Sequence, residues 1–258
     1  MENLLDQLVI KAYECGEILL NANYSELDVE SKEGIGNLVT KYDKMIQDKL
    51  NKELLELIPD ANFVGEESKE FEKIKTDGYT FIVDPIDGTY NFARNLKSSA
   101  ISIALFKDGE PYMGVCYNPY IDEMYKAEKG KGAYLNNKLI HVSNKKIEDG
   151  IMYMGSSPYY PELRGRLVKV LDKVMEKAVD YRRAGSAVLE LLAVAAGRVE
   201  GYIELKVQPW DCGAASLIVT EAGGTVTTED GKPIDYNGST SIVASNGQSD
   251  LLQFIVKE

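Results

Sequence analysis

From Tyr79 onward the hydrophobic period of this chain changes, and that change restricts what the chain can fold into. Before it, apolar residues recur every three or four positions. Leu4, Leu5, Leu8, Ala12, Cys15 and Leu19 form one stripe, and Ile46, Leu50, Leu54 and Leu57 form a second that Pro59 closes. The spacing predicts two amphipathic helices. After it come short β-branched and aromatic runs, "YTFIVD", "SAISIALF", "YMGVCYNP" and "DEMYKAE", divided by "KDGEP" and "PYID" and followed by "KGKG". These predict a meander of antiparallel strands.

Helical spacing returns over 161–178 and over 186–196, where Ser186 is placed to cap. "GYIEL" and "TSIVAS" read as strands, and "WDCGAASLIVTEAGG" as a helix stopped by Gly223 and Gly224. A short helix is expected at the end. Helices paired between groups of strands predict layered α and β with mainly antiparallel sheets. The 258 residues suffice for one domain with a sizeable core, whose two lobes, about 1–150 and 151–258, would meet near residue 150.

The formal charge of −12 leaves no basic stripe that could displace counterions from a nucleic acid. No apolar run is long enough for a bilayer, and the acidic start lacks a basic n-region, so a cytoplasmic protein is expected. Cys15, Cys116 and Cys212 are widely spaced and odd in number, with neither metal-ligand nor disulfide spacing. The single histidine, His141 in "NNKLIHVSN", stands apart from every acidic stretch. Histidine-based acid–base chemistry is therefore not expected.

Four acidic stretches remain. "VGEES" holds Glu66 and Glu67, "VDPIDGT" holds Asp84 and Asp87, "PWDCGA" holds Asp211, and "VTKYD" holds Asp43. Three follow one plan, an apolar approach and then a carboxylate where the chain turns or a helix begins. Oxygen ligands of this kind suit a hard divalent cation such as Mg²⁺, which is usually held by one or two carboxylates together with substrate phosphate. Asp84, Asp87 and the Ile86 carbonyl would face one space, while Gly88 and Thr89 offer N–H and hydroxyl donors to an anion. Each motif also has a purely structural reading. D-P-x-D-G is a turn composition, and Thr40 with Asp43 matches a helix capping box.

Taken together, in this order, the four stretches resemble the inositol monophosphatase family of Mg²⁺-dependent, lithium-sensitive phosphatases. "VDPIDGTYNF" is similar to the family's first motif, "WDCGAASLIVTEAGG" to its second, and "NLVTKYD" and "VGEES" to the supporting ones. The resemblance runs over essentially the whole chain and implies a layered αβαβα sandwich, a homodimer and two or three Mg²⁺ ions per site. It implies that Glu66, Asp84 and the Ile86 carbonyl hold one ion, and that Asp84, Asp87 and Asp211 hold a second. Glu67 would serve a third site or orient water. Thr89, bonded to Asp43, would polarise the attacking water beside Glu66.

By the same resemblance Asp87, Gly88, Thr89, Asp211, Glu204 and the N–H of Ala187 would bind the phosphate ester. The expected activity is hydrolysis of inositol 1-phosphate or a related polyol phosphate by direct water attack. Fructose 1,6-bisphosphate and nucleotide phosphates such as NADP are the enzymatic alternatives, with Arg182 and Arg183 meeting a second phosphate. A non-catalytic regulatory dimer that binds a metal or an anion is the alternative of another class. Lys32 reads either as a positive residue closing over the site or as an isolated surface lysine. Tyr90, where the family commonly has a small residue or threonine, and the following "ARNLKSS" depart from the family pattern at the expected substrate entrance.

Overall fold

The structure is a computed structural model describing residues 3–32, 37–68 and 73–256. In chain order it contains α1 (Leu4–Leu20), β1 (Glu30–Ser31), β2 (Leu38–Val39), α2 (Lys41–Leu57), β3 (Asn62–Gly65), β4 (Tyr79–Asp87), α3 (Thr89–Ala93), β5 (Ala100–Lys107), β6 (Glu110–Asn118) and β7 (Glu123–Glu128). It continues through β8 (Ala133–Leu135), β9 (Lys138–Ile140), β10 (Ile151–Met154), α4 (Arg164–Met175), β11 (Asp180–Arg182) and α5 (Ala187–Ala195). The last elements are β12 (Gly201–Val207), α6 (Pro209–Glu221), β13 (Thr225–Thr227) and β14 (Thr240–Ser245).

The meander forms as the strand period requires, in a seven-stranded sheet ordered β3-β4-β5-β6-β7-β8-β9. A five-stranded sheet ordered β11-β10-β12-β14-β13 is built entirely from residues after 150. Three apolar clusters lie between the layers. The stripes of α1 and α2 pack with Phe81, Val83, Ile103 and Val115 on one face of the larger sheet. On its other face Ile82, Ala104 and Cys116 meet α5 and α6, which in turn cover Tyr202, Ile242 and Ala244 of the smaller sheet. Val170 and Val174 of α4 close the far side of that sheet against Met152, Ile203 and Val243. The result is an αβαβα sandwich, because period-two strands expose two apolar faces and each must be covered.

Helix α6 is almost entirely buried, and its small residues let it press onto the sheet. A Cβ built on Gly114 of β6 would lie 2.7 Å from the Ala214 carbonyl oxygen, so only glycine fits beneath the helix.

The pairings are mostly antiparallel, with parallel exceptions at β3–β4, β10–β11 and β10–β12. Two expected helices are shorter than their apolar spacing. A 3-10 turn at Pro161–Leu163 precedes α4, and the terminal helix is a 3-10 turn at Leu251–Phe254. All three cysteines are free and buried. Among the described residues no helix is long and apolar enough to cross a membrane.

Candidate active site

The apolar run of β4 does not stop at Asp84, as the sequence suggested. Asp84 pairs with Ser102 and the next pairing is Asp87 with Ala100, so the strand carries one extra residue through a bulge. A bulge re-aims side chains without ending the ladder, and both carboxylates line one cavity of about 880 Å³. Asp84 Oδ1 accepts the Ile86 N–H at 3.0 Å. Gly88 then turns the chain into α3 with φ of +85°, a left-handed conformation in which a Cβ would also crowd the carbonyl oxygens of Ser98 and Gly185.

Thr89 opens α3 with its hydroxyl oxygen 2.9 Å from Asp43 Oδ1 and 3.0 Å from the Ile86 carbonyl. One hydroxyl proton serves only one of these acceptors at a time. Asp43 reaches Thr89 because its other oxygen is fixed by Thr40, whose N–H donates at 2.7 Å and whose hydroxyl also donates. The capping box at the start of α2 is therefore real, and it also orients the carboxylate toward Thr89. Asp43 lies behind Thr89, outside the cavity lining, and burial pushes its carboxyl up to about 6.

Parallel pairing of β3 with β4 sets Gly65 beside Val83, and the Glu66 N–H donates to the Val83 carbonyl at 3.2 Å. Glu66 thereby arrives next to Asp84 in the cavity wall. Its Oε1 accepts from Lys32 Nζ at 3.0 Å, and the same ammonium bonds Glu67. Lys32 is thus not an isolated surface lysine, because two adjacent carboxylates bind it. Burial lowers the Lys32 pKa, but Glu66 and Glu67 outweigh it and hold the ammonium above its usual range. Glu67 sits outside the cavity lining, its carboxyl pushed up to about 7 by burial and by Glu66.

Asp211 comes from the first turn of α6, which starts two residues after β12 ends. The Gln208 N–H donates to its Oδ2 at 2.7 Å. One oxygen from each of Asp84, Asp87 and Asp211 lies within 4.8 Å of the others. Two carboxylates that close repel by about 3 kcal/mol at an effective dielectric near 20. Among the described residues no lysine or arginine pairs with these three, since Lys32 is taken by Glu66 and Glu67. Burial, and after it the charges of Glu66 and Glu204, push the Asp87 carboxyl up to about 7, while burial and the neighbouring carboxylates, Glu66 among them, hold those of Asp84 and Asp211 well above their ordinary value. An oxygen-only set with no protein cation among the described residues to neutralise it fits a hard divalent ion, with the Ile86 carbonyl and Glu66 at its rim.

The second half of the chain supplies the opposite side of the cavity. Asp87 Oδ2 accepts from the Ser186 hydroxyl and from the Val188 N–H at 3.0 Å, so β4 is tied to the start of α5. Ala187, Glu204 and Arg183 line the cavity, while Arg182 does not. Arg182 sits on the exposed edge strand β11, where it binds the Tyr181 carbonyl and Asp180, which corrects the expectation that both arginines face a substrate. Glu204 is also less free than expected. Its Oε1 accepts the Ser157 N–H at 2.7 Å and its Oε2 accepts the Tyr202 hydroxyl.

Of the residues departing from the family pattern, Tyr90 lines the cavity, whereas Arg94, Leu96 and Lys97 do not. Sequence reading missed Ser157, Tyr159, Tyr160, Lys206 and Glu190, which all line it. A signal existed for Glu190 alone, as the single charged residue in the apolar helix "AVLELLAVA". Burial and Glu204 push its carboxyl up to about 8.

A layered sandwich whose sheets and central helices gather carboxylates beside a hydroxyl–carboxylate pair has counterparts among known proteins. The family model for the inositol monophosphatase family matches residues 1–258, and the chain belongs to that family. It is 35% identical to an inositol-1-monophosphatase of Bacillus subtilis, over 90% of this chain and 88% of that one. It is 33% identical to the Nus factor SuhB of Escherichia coli, over 95% and 92% of the two chains. The solved structure of a Thermotoga maritima IMPase superposes with a TM-score of 0.87 at 32% identity, covering 98% of this chain and 96% of the other.

Proposed function

We propose that this phosphatase is a magnesium-dependent phosphomonoesterase that hydrolyses inositol 1-phosphate or a closely related polyol phosphate by direct attack of water. The observation that carries the reading is the hydrogen bond from Thr89 Oγ1 to Asp43 Oδ1 at the edge of the carboxylate cluster. Divalent ions held by Glu66, Asp84, the Ile86 carbonyl, Asp87 and Asp211 would neutralise the phosphate and acidify bound water.

The chain's own residues do the rest. Asp43, anchored by Thr40, takes the Thr89 proton as a hydrogen bond and leaves the Thr89 lone pairs free to accept from the attacking water. Gly88 and Thr89 offer the phosphate donors at the bulge. Among the described residues the cavity contains no cysteine or histidine to act as nucleophile, which favours water over a covalent intermediate.

Phosphate release measured with and without Mg²⁺ on inositol 1-phosphate, fructose 1,6-bisphosphate, NADP and adenosine 3′,5′-bisphosphate tests this. Inositol 1-phosphate is expected to have the highest kcat/KM. Far slower turnover than one of the others would overturn the substrate assignment. A folded protein with no Mg²⁺-stimulated activity on any ester would favour a binding role instead, a reading to which the SuhB relatives, named as Nus factors, lend some weight.

A further inference from the structure

Glu190 carries a carboxylate that the proposed reaction does not use. It lies on α5, is 1% exposed, and lines the same cavity as Ala187 and Glu204. Its Oε1 accepts two backbone bonds, from the Ala184 N–H and from the Gly185 N–H at 3.0 Å. The carbonyls of the same turn are held from the other side, where Asn91 Nδ2 lies 2.8 Å from the Ala184 oxygen and 3.3 Å from that of Gly185. The side chain is thus fixed by one oxygen only. Its Oε2 has no hydrogen-bond partner among the described residues, and the side chain lines the cavity.

Glu204, to which family resemblance gives the substrate hydroxyls, has both oxygens engaged by Ser157 and Tyr202. Arg183, which lines the cavity and forms no ion pair within 4 Å among the described residues, is positioned to offset negative charge there. We propose that Glu190, through its Oε2, is a specificity-determining residue that binds a hydroxyl of the cyclitol or polyol leaving group. This rests on the phosphatase reading above and deepens it by naming a hydroxyl contact. A preorganised, buried polar atom discriminates for a partner hydroxyl because the analogue lacking one leaves that atom unpaired. The upward shift of the Glu190 carboxyl to about 8 agrees with such a site, since a substrate hydroxyl can either donate to the ionised group or accept from the neutral one.

The experiment compares kcat/KM on inositol 1-phosphate and on phenyl phosphate, whose alcohol has no further hydroxyl, for wild type, Glu190→Met and Glu190→Gln in saturating Mg²⁺. The ratio of the two constants is expected to fall about 10-fold or more in Glu190→Met and to recover largely in Glu190→Gln, which keeps a polar atom at both positions. Equal losses on both esters in Glu190→Met, with the ratio unchanged, would reduce Glu190 to a brace for the turn and overturn the proposal. A wild type that hydrolyses phenyl phosphate as well as inositol 1-phosphate would overturn it while leaving the phosphatase standing. Hydrolysis of neither ester would overturn both.

Discussion

Replacing Asp87 by asparagine should stabilise the metal-free protein while destroying its activity. Both hydrogen bonds that fix this side chain, from the Ser186 hydroxyl and the Val188 N–H, go to Oδ2, so an asparagine with its carbonyl oxygen there keeps them. What it loses is the charge that faces Asp84 and Asp211. The folded Asp87 carboxyl is raised to about 7 from 3.8. At 1.36 kcal/mol per pKa unit, that difference corresponds to about 4 kcal/mol as an upper limit. The folded state binds this proton more tightly than the unfolded chain. Its stability is therefore intact below pH 4 and falls as pH rises from about 4 to 7, and the penalty is full above that.

Without metal at pH 8, Asp87→Asn should therefore melt roughly 10 °C above wild type. The gap should close toward pH 4. In Mg²⁺ the order should reverse, because only wild type gains a bound ion, and phosphate release should drop by at least about a hundredfold. Thermal unfolding by circular dichroism at pH 4, 6 and 8, with Mg²⁺ and with chelator, reads all of this. A variant no more stable than wild type at pH 8 without metal, or a gap independent of pH, would refute the electrostatic account.

Thr89→Ala should retain the fold and lose roughly 10²–10⁴-fold in kcat, and the wild-type kcat should climb as Asp43 ionises, with an ascending limb at or below about pH 6. A steady-state pH profile of both proteins checks this. Lys32→Met should cost the metal-free protein about 1–2 kcal/mol in a denaturant titration, by leaving Glu66 and Glu67 unneutralised. It should also move the Mg²⁺ midpoint of thermal stabilisation to lower concentration, because the ammonium no longer occupies Glu66. Gly114→Ala should cost about 1–3 kcal/mol by forcing α6 off the sheet, seen as a lower urea midpoint with an unchanged slope.

Much of this site was legible because its carboxylates sit in strong local contexts. Asp43 occupies a capping box that the sequence displays, and the helix it starts was found from apolar spacing, while the helix that Asp211 opens was found from its Gly223 and Gly224 stop. The same periodicities predict layered α and β, whereas the αβαβα order was implied by the family resemblance. The bulge between Asp84 and Asp87 was not legible, since D-P-x-D-G fits a turn equally well and only pairing with β5 keeps the strand going. Parallel pairing of β3 with β4, which delivers Glu66, is a long-range choice with no local signature. For the same reason the sequence left Lys32 between a residue closing over the site and a solitary surface charge, because its two partners lie thirty-four and thirty-five residues away. Edge strand β11 has three exposed residues and no alternation, which hid the divergent placement of Arg182 and Arg183.

The central claim is that divalent cations neutralise the carboxylates that Asp84, Asp87 and Asp211 bring together. Titration calorimetry with Mg²⁺ at pH 7, repeated in two buffers of different ionisation enthalpy, measures it most directly. Saturable uptake with net proton release is expected, because the Asp87 carboxyl, raised to about 7, and those of Asp84 and Asp211, raised well above their ordinary value, must give up protons to bind an ion. A flat titration, or uptake without proton release, would contradict it.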